Sequence, residues 1–347
     1  MRFTPAALVA LLVSAFAFPA PATGQDPAAP PSVTPAPAAP PPAPTQPAAP
    51  PASAASATGK LALQAERVGR GHAVLTGARW RVRGTLTPFV AGQQVTVRFV
   101  LGRSKLKVKR VSVRPSKTGR SGTFLVSFAS RRAGRVSVTA THAATAQLST
   151  VRARPTAVDV LPARARPGSK GLAVRVLQER LARLGYVVGR RGSFDARTAR
   201  AVVAFRKVTG MARTATADRA VFARLARGQG AFRVKYPRHG RHIEADISRQ
   251  VVALIGAGGK VERIFPTSSG APGTPTILGS FKIYRKDFGT NAIGMVHAAY
   301  FIRGYAIHGY SSVPTYNASH GCLRVPVPDA LGIFRWVRYG TRVDTYR

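Results

Sequence analysis

The sequence is poor in cysteine, in acidic residues and in long apolar runs. Cys322 is the one cysteine among 347 residues, which excludes an intramolecular disulfide and a Cys-x-x-Cys metal knuckle. Asp and Glu together number 12 against 53 Lys and Arg, a net charge of +41. Eleven of those cations are lysine and 42 are arginine. Such a surface adheres to polyanions, whether nucleic acid, anionic lipid or wall polymers. It is also what a biased genome writes wherever a solvated cation is tolerated. Aromatic platforms that stack bases are missing, which argues against a nucleic-acid partner.

One apolar run does stand out. Arg2 precedes Ala6 to Phe18, a stretch of 13 residues, and Ala20-Pro21-Ala22 and Ala22-Thr23-Gly24 are small-residue cleavage patterns. This predicts a signal peptide over residues 1–24 and a secreted, extracytoplasmic protein, with an uncleaved N-terminal membrane anchor as the alternative. No cysteine follows the run, so a lipid-modified cysteine is excluded. Residues 25–59 read as a Pro/Ala-rich disordered linker, since 12 of the 27 prolines lie between Pro27 and Pro51. Extended polyproline at about 3.1 Å per residue reaches on the order of 100 Å.

The remainder predicts a multidomain, mainly β chain. Residues 60–160 alternate with period two, as in Trp80/Val82, Val95/Val97/Phe99, Phe124/Val126/Phe128 and Val136/Val138/Ala140. Glycine-bearing turns punctuate the run, which predicts an immunoglobulin-like β-sandwich. It carries 20 basic residues against Glu66 and Asp159, so its wet faces are cationic. His72 and His142 are isolated there and read as surface or satisfied side chains. Residues 164–228 change to helical period. Leu172, Val176, Leu177, Leu181 and Leu184 form one stripe; Asp195 and Thr216 are the expected caps of two further helices, and Gly185, Gly210 and Gly228 the stops. Residues 238–347 return to short strands, with one helix over "PVPDALGIFRWVRYG" whose expected inward residues are Leu331, Phe334 and Val337.

Two word orders carry family resemblances. Gly168/Gly171, Leu177-Gln178, Leu184-Gly185-Tyr186, Gly192-Ser193-Phe194-Asp195, Thr198, Ala201-Val202 and Phe205 together resemble a peptidoglycan-binding three-helix bundle. The sequence departs from that pattern at Arg206, where glutamine is usual, and in the degraded turn "ARTATAD".

The second concerns Cys322. Thiolate is the reactive form of cysteine, and a neighbouring imidazole can take its proton and hold the ion pair. His308, fourteen residues upstream, and His320 are the candidates. A buried inert thiol is one alternative. A zinc site of His297, His308, His320 and Cys322 is another, but no His-x-x-x-His or Cys-x-x-Cys spacing supports it, so neither metal nor cofactor is expected. "YAIHGY" (Tyr305 to Tyr310) followed by "SHGCLR" (Ser319 to Arg324) resembles the signature of L,D-transpeptidases. "EADISRQ", "FPTSSG", "GTPTILGSFKI", Gly294-Met295 and Trp336/Gly340-Thr341/Val343 fall in the family's order.

The resemblance implies a β-rich L,D-transpeptidase catalytic domain, with Cys322 as nucleophile and His308 as base. It implies that the Gly309 carbonyl orients the imidazole and that the Gly321 and Cys322 N–H groups receive the oxyanion. Ser319, His320, Arg324 and Tyr310 become substrate-side residues. Implied partners are peptidoglycan stem peptides and glycan, with anionic cell-wall polymers and with carbapenem β-lactams as inhibitors. The implied reaction releases D-alanine from a tetrapeptide stem and forms a 3→3 cross-link, within cell-wall organisation and cell shape. The alternatives are a cysteine carboxypeptidase that only hydrolyses stems, and a cationic cell-wall-binding protein without activity.

Overall fold

A computed structural model describes residues 57–347. The expected signal peptide, the possible anchor and nearly all of the linker lie outside the described residues. Among the described residues, no helix is long and apolar enough to cross a membrane. The chain is multidomain and mainly β.

The first unit is a two-sheet sandwich. One sheet orders β1 (Lys60–Glu66), β3 (Trp80–Thr87), β7 (Gly122–Phe128) and β6 (Arg114–Pro115). The other orders β2 (Ala73–Leu75), β10 (Thr156–Leu161), β8 (Gly134–His142), β4 (Gln94–Leu101) and β5 (Ser104–Ser112), with β9 (Val151–Arg152) on β8. The alternation works as expected. Trp80, Val82, Val95, Val97, Phe99, Val126, Val136 and Val138 are fully buried, and the Phe99 and Phe128 rings stack at 4.2 Å. Two details differ from expectation. Ala57, at the end of the expected linker, already pairs with Leu148, so the sandwich begins earlier. His142 continues the inward series Val136, Val138, Ala140, and is therefore buried, with its Nδ1 lacking a hydrogen-bond partner, rather than satisfied.

The second unit holds α1 (Leu172–Arg183), α2 (Ala196–Val208) and α3 (Arg219–Ala226). The buried stripe of α1 is Val174, Leu177, Gln178 and Leu181, rotated from the one expected. Gln178 turns the helix inward. Its Nε2 donates to the Arg190 and Ser193 carbonyls and to Thr198 Oγ1, and its Oε1 accepts from Gly192 N–H at 2.7 Å. Asp195 caps α2 as expected, accepting from Thr198 N–H. The cap of α3 is Asp218, not Thr216; its carboxylate takes Val221 N–H at 3.0 Å, where Thr216 stands two residues too early. Arg206 replaces the usual glutamine with a built anchor. It is buried, donates to the Thr216 and Ala212 carbonyls, and pairs with Asp218 at 2.7 Å.

The third unit has two sheets. One orders β13 (Val261–Pro266), β12 (Val251–Ile255), β11 (His242–Asp246), β19 (Arg342–Tyr346) and β14 (Gly279–Lys282). The other orders β15 (Arg285–Thr290), β16 (Val296–Ile302), β17 (Tyr305–Tyr310) and β18 (Leu323–Pro326). Helix α4 (Val327–Trp336) packs on β16 and β17. Its inward residues are Ala330, Ile333, Trp336 and Val337, not Leu331 and Phe334. Phe334 instead lies under the Lys286 ammonium, which donates to the Phe334 and Val337 carbonyls at 2.8 Å.

The bundle and this unit share a core. Val251, Ala253, Ile255 and Ile264 join Leu181, Tyr186, Phe205 and Phe222 in one buried cluster. Tyr186 pairs in parallel with Ile264, whose N–H donates to the Gly185 carbonyl at 2.8 Å. Asp329 on α4 is buried and pairs with Arg197 and Arg200 on α2. Lys207 on α2 is buried and donates to the Gln250 and Thr267 carbonyls at 3.0 and 2.8 Å.

Candidate active site

Cys322 and His308 reach one face of one sheet. Strands β17 and β18 run parallel, with Ile307 opposite Leu323 and His308 opposite Arg324. Ile307 and Leu323 point into the main core. By alternation His308 and Arg324 point to the other face, and so does Cys322, two residues before Arg324. Cys322, one residue before β18, then lies on the same side of the sheet as His308. The thiol rests half-exposed against Met295, Ala298, Tyr300 and Ala306. Ala306 carries only a methyl group, which leaves the sulfur room beside the strand.

The ionisation differs from expectation. Burial pushes the Cys322 thiol up, and neither the Ala306 N–H nor the Arg324 charge outweighs it. Burial also pushes His308 down; the Gly309 carbonyl opposes this and Arg324 adds to it. Both shifts favour the neutral thiol and the neutral imidazole over an ion pair. Consistently, the S–H faces the Gly304 carbonyl at 3.7 Å while the sulfur accepts from Ala306 N–H at 3.4 Å. Among the described residues Cys322 and His308 are not hydrogen-bonded to each other. His308 Nδ1 lies 2.9 Å from the Gly309 carbonyl. A carbonyl only accepts, so Nδ1 carries the proton and Nε2 keeps its lone pair. Gly309 also lets α4 approach, since a Cβ there would meet the Ala330 methyl at 2.8 Å.

The turn before the thiol is wired internally. Ser319 was expected on the substrate side, but it is buried. Its hydroxyl donates to the Cys322 carbonyl at 2.7 Å and accepts from Gly321 N–H at 3.1 Å. Gly321 N–H is thus committed, which corrects the expectation that it waits for an oxyanion; no described residue takes the Cys322 N–H. Gly321 has φ +115° and lies under the Tyr305 ring, where any Cβ would collide. Its glycine therefore serves the turn and the tyrosine rather than substrate approach. His320 is exposed. Arg324 donates to the Ala318 carbonyl at 3.3 Å and lies over the Tyr310 ring at 4.2 Å, and that ring meets His308 edge-on. His297 sits apart from the thiol, accepting from Gly289 N–H and packed between Phe288 and Phe334. Among the described residues no group of His, Cys, Asp or Glu is placed to hold a metal.

Residues 267–276 supply supports that sequence reading assigned no role. Thr276 Oγ1 donates to the Gly321 carbonyl and accepts from Gly270 N–H, and Thr274 donates to the Ser319 carbonyl. The Ser269 carbonyl accepts from both Ala318 and Ser319 N–H at 2.9 Å. Thr267 donates to the Arg324 carbonyl, and Gln250 holds Ser269 from below. The signal was present as a run of short hydroxyl side chains around glycine, which can only bond to nearby backbone when buried.

Residues 240–344 match the YkuD family of L,D-transpeptidase catalytic domains, and residues 170–225 match the peptidoglycan binding domain family. A solved L,D-transpeptidase from Xylanimonas cellulosilytica is 34% identical, covering 53% of this chain and 98% of its own, at a TM-score of 0.48. One from Stackebrandtia nassauensis is 19% identical over 53% and 95%, at 0.34. One from Mycobacterium tuberculosis is 21% identical over 31% and 58%, at 0.29. No curated protein matches the chain. The family matches cover both the segment that carries Cys322 and His308 and the three-helix segment welded to it. The chain belongs to the L,D-transpeptidase catalytic domain family through its C-terminal unit, and the bundle before that unit matches the peptidoglycan binding domain model.

Proposed function

We propose that this chain is a secreted, wall-associated L,D-transpeptidase that forms 3→3 peptidoglycan cross-links through a thioester on Cys322. The observation that carries this is the placement of Cys322 and His308 on one face of β17 and β18, with His308 Nδ1 tied to the Gly309 carbonyl. That bond leaves Nε2 as the basic nitrogen. The sulfur attacks the carbonyl of the third stem residue, and its proton passes to Nε2 as the C–S bond forms. The Cys322 N–H is the donor open to the oxyanion. Collapse breaks the C–N bond, and the imidazolium gives its proton to the departing D-alanine. The side-chain amine of a second stem then attacks the thioester and loses a proton through His308, and the sulfur leaves as thiol. Water in place of that amine makes the protein a carboxypeptidase. Ser319 is a positioning residue in this scheme, while His320, Arg324 and Tyr310 border the substrate. The bundle raises local glycan concentration, and the cationic sandwich favours the anionic wall.

Purified protein is incubated with a disaccharide tetrapeptide and the products are read by mass. Cross-linked dimer is the expected product; loss of D-alanine alone would mean hydrolysis, and unchanged substrate would sink the enzyme reading. Cys322→Ala should lose at least ~10⁴-fold in turnover, and a carbapenem should leave a covalent adduct that this variant lacks. The base must be neutral, and burial lowers His308. The acid limb of kcat/KM should therefore lie below about pH 6.5, the ordinary histidine value. Arg324→Gln removes a charge that holds His308 down, so the limb should move up.

A further inference from the structure

Away from Cys322, the sandwich and the helical bundle enclose a cleft of about 410 Å³. That is the size of a small-ligand site. Its apolar floor includes Leu75, Val176 and Phe222. Its walls are short side chains such as Ala78, Ala163 and Ala223. Four arginines also line it: Arg67, Arg180, Arg219 and Arg227. No Asp or Glu does.

The charge there is unbalanced in a specific way. Arg180 Nη1 is buried and has no hydrogen-bond partner. Among the described residues none of the four arginines is in an ion pair. A buried guanidinium N–H without an acceptor is unfavourable, and neighbouring cations make it more so. Burial indeed pushes Arg180 down, with Arg183 contributing. An anion entering the cleft would offset the charge of its four arginines. Guanidinium forks match carboxylates through paired N–H donors. Short side chains on the walls leave room for apolar groups above the floor.

We propose that this cleft binds the free C-terminal carboxylate of a short apolar peptide, with the lining arginines taking the carboxylate and the Leu75–Val176–Phe222 floor taking the apolar side chains. The site is separate from Cys322 and stands without the transpeptidase reading.

The test is calorimetric titration of the full chain with tetra-alanine as the free acid, as the C-terminal amide, and with inorganic phosphate as competitor. The free acid should bind in a 1:1 ratio, the amide at least tenfold more weakly, and binding of the acid should weaken as salt rises. Arg180→Met should weaken the acid at least tenfold. Arg219→Gln, at an exposed position, should weaken it severalfold with the melting temperature checked alongside, and Cys322→Ala should leave it unchanged. The proposal is overturned if acid and amide bind alike, if neither binds, or if both arginine variants keep full affinity. Displacement of the peptide by phosphate at lower concentration would also overturn it, because the natural ligand would then carry phosphate.

Discussion

Toward the C-terminal unit the helical bundle presents a shared apolar core, a strand-like backbone pairing and buried charges held on both sides. Toward the sandwich it presents arginines around a hollow, with Leu75 packing on its core and the Ala163 N–H donating to Thr76 Oγ1 at 3.1 Å. The same small bundle thus makes one seam that completes a neighbour and one that leaves space. Apolar continuity is what separates them. Val251, Ala253, Ile255 and Ile264 have no other cover, whereas the sandwich core is closed by its own two sheets. The teaching is that a binding module can also be a structural half of its partner.

Removing whole units tests the contrast most severely. A chain of residues 161–347 should fold cooperatively and keep its turnover, while residues 231–347 should lack a cooperative melt and aggregate. Circular dichroism and size-exclusion chromatography distinguish the two; a well-folded shorter piece would erase the distinction between the seams. Asp329→Asn comes next. It leaves Arg197 and Arg200 without their buried anion, at a cost of about 2 kcal/mol once the partial exposure of both arginines is allowed for. A melt that lowers Tm by several degrees is expected.

Lys207 sharpens the comparison through pH. Burial pushes it down to about 7, with Arg213 adding to the effect. Its unfolded value is about 10.4. Between those values the unfolded chain holds a proton that the folded chain lacks, so stability rises with pH across that window. Urea melts at pH 7 and 9.5 should show wild type gaining about 1 kcal/mol per pH unit relative to Lys207→Met. The sandwich seam, built from arginines, should show no such slope. The smallest effect belongs to that seam: Thr76→Val removes one hydrogen bond and should cost no more than about 1 kcal/mol.

The sequence made the sandwich legible because alternation reports burial directly, as Val95, Val97 and Phe99 do. It made Cys322 and His308 candidates through a family's word order, and their shared sheet face is a geometric fact that only pairing of β17 with β18 supplies. The α1 stripe misread because a buried glutamine looks polar in sequence; its four hydrogen bonds make it a core residue. Thr216 and Asp218 are both good caps, and the Asp218–Arg206 pair decided between them. The seam with the C-terminal unit was invisible, since Gly185 and Ile264, or Lys207 and Thr267, are far apart in the chain and leave no local pattern. Lys207 and Asp329 read as ordinary surface charges until their partners are known.

One feature of β13 bears on how the chain is made. This strand lies at the margin of its sheet, where unpaired amides invite association with other molecules, and Gly185–Tyr186 occupies part of that margin. Synthesis runs from the N-terminus, so the segment that covers the margin emerges before the margin itself. A polypeptide ordered the other way round would expose that margin before its cover was made.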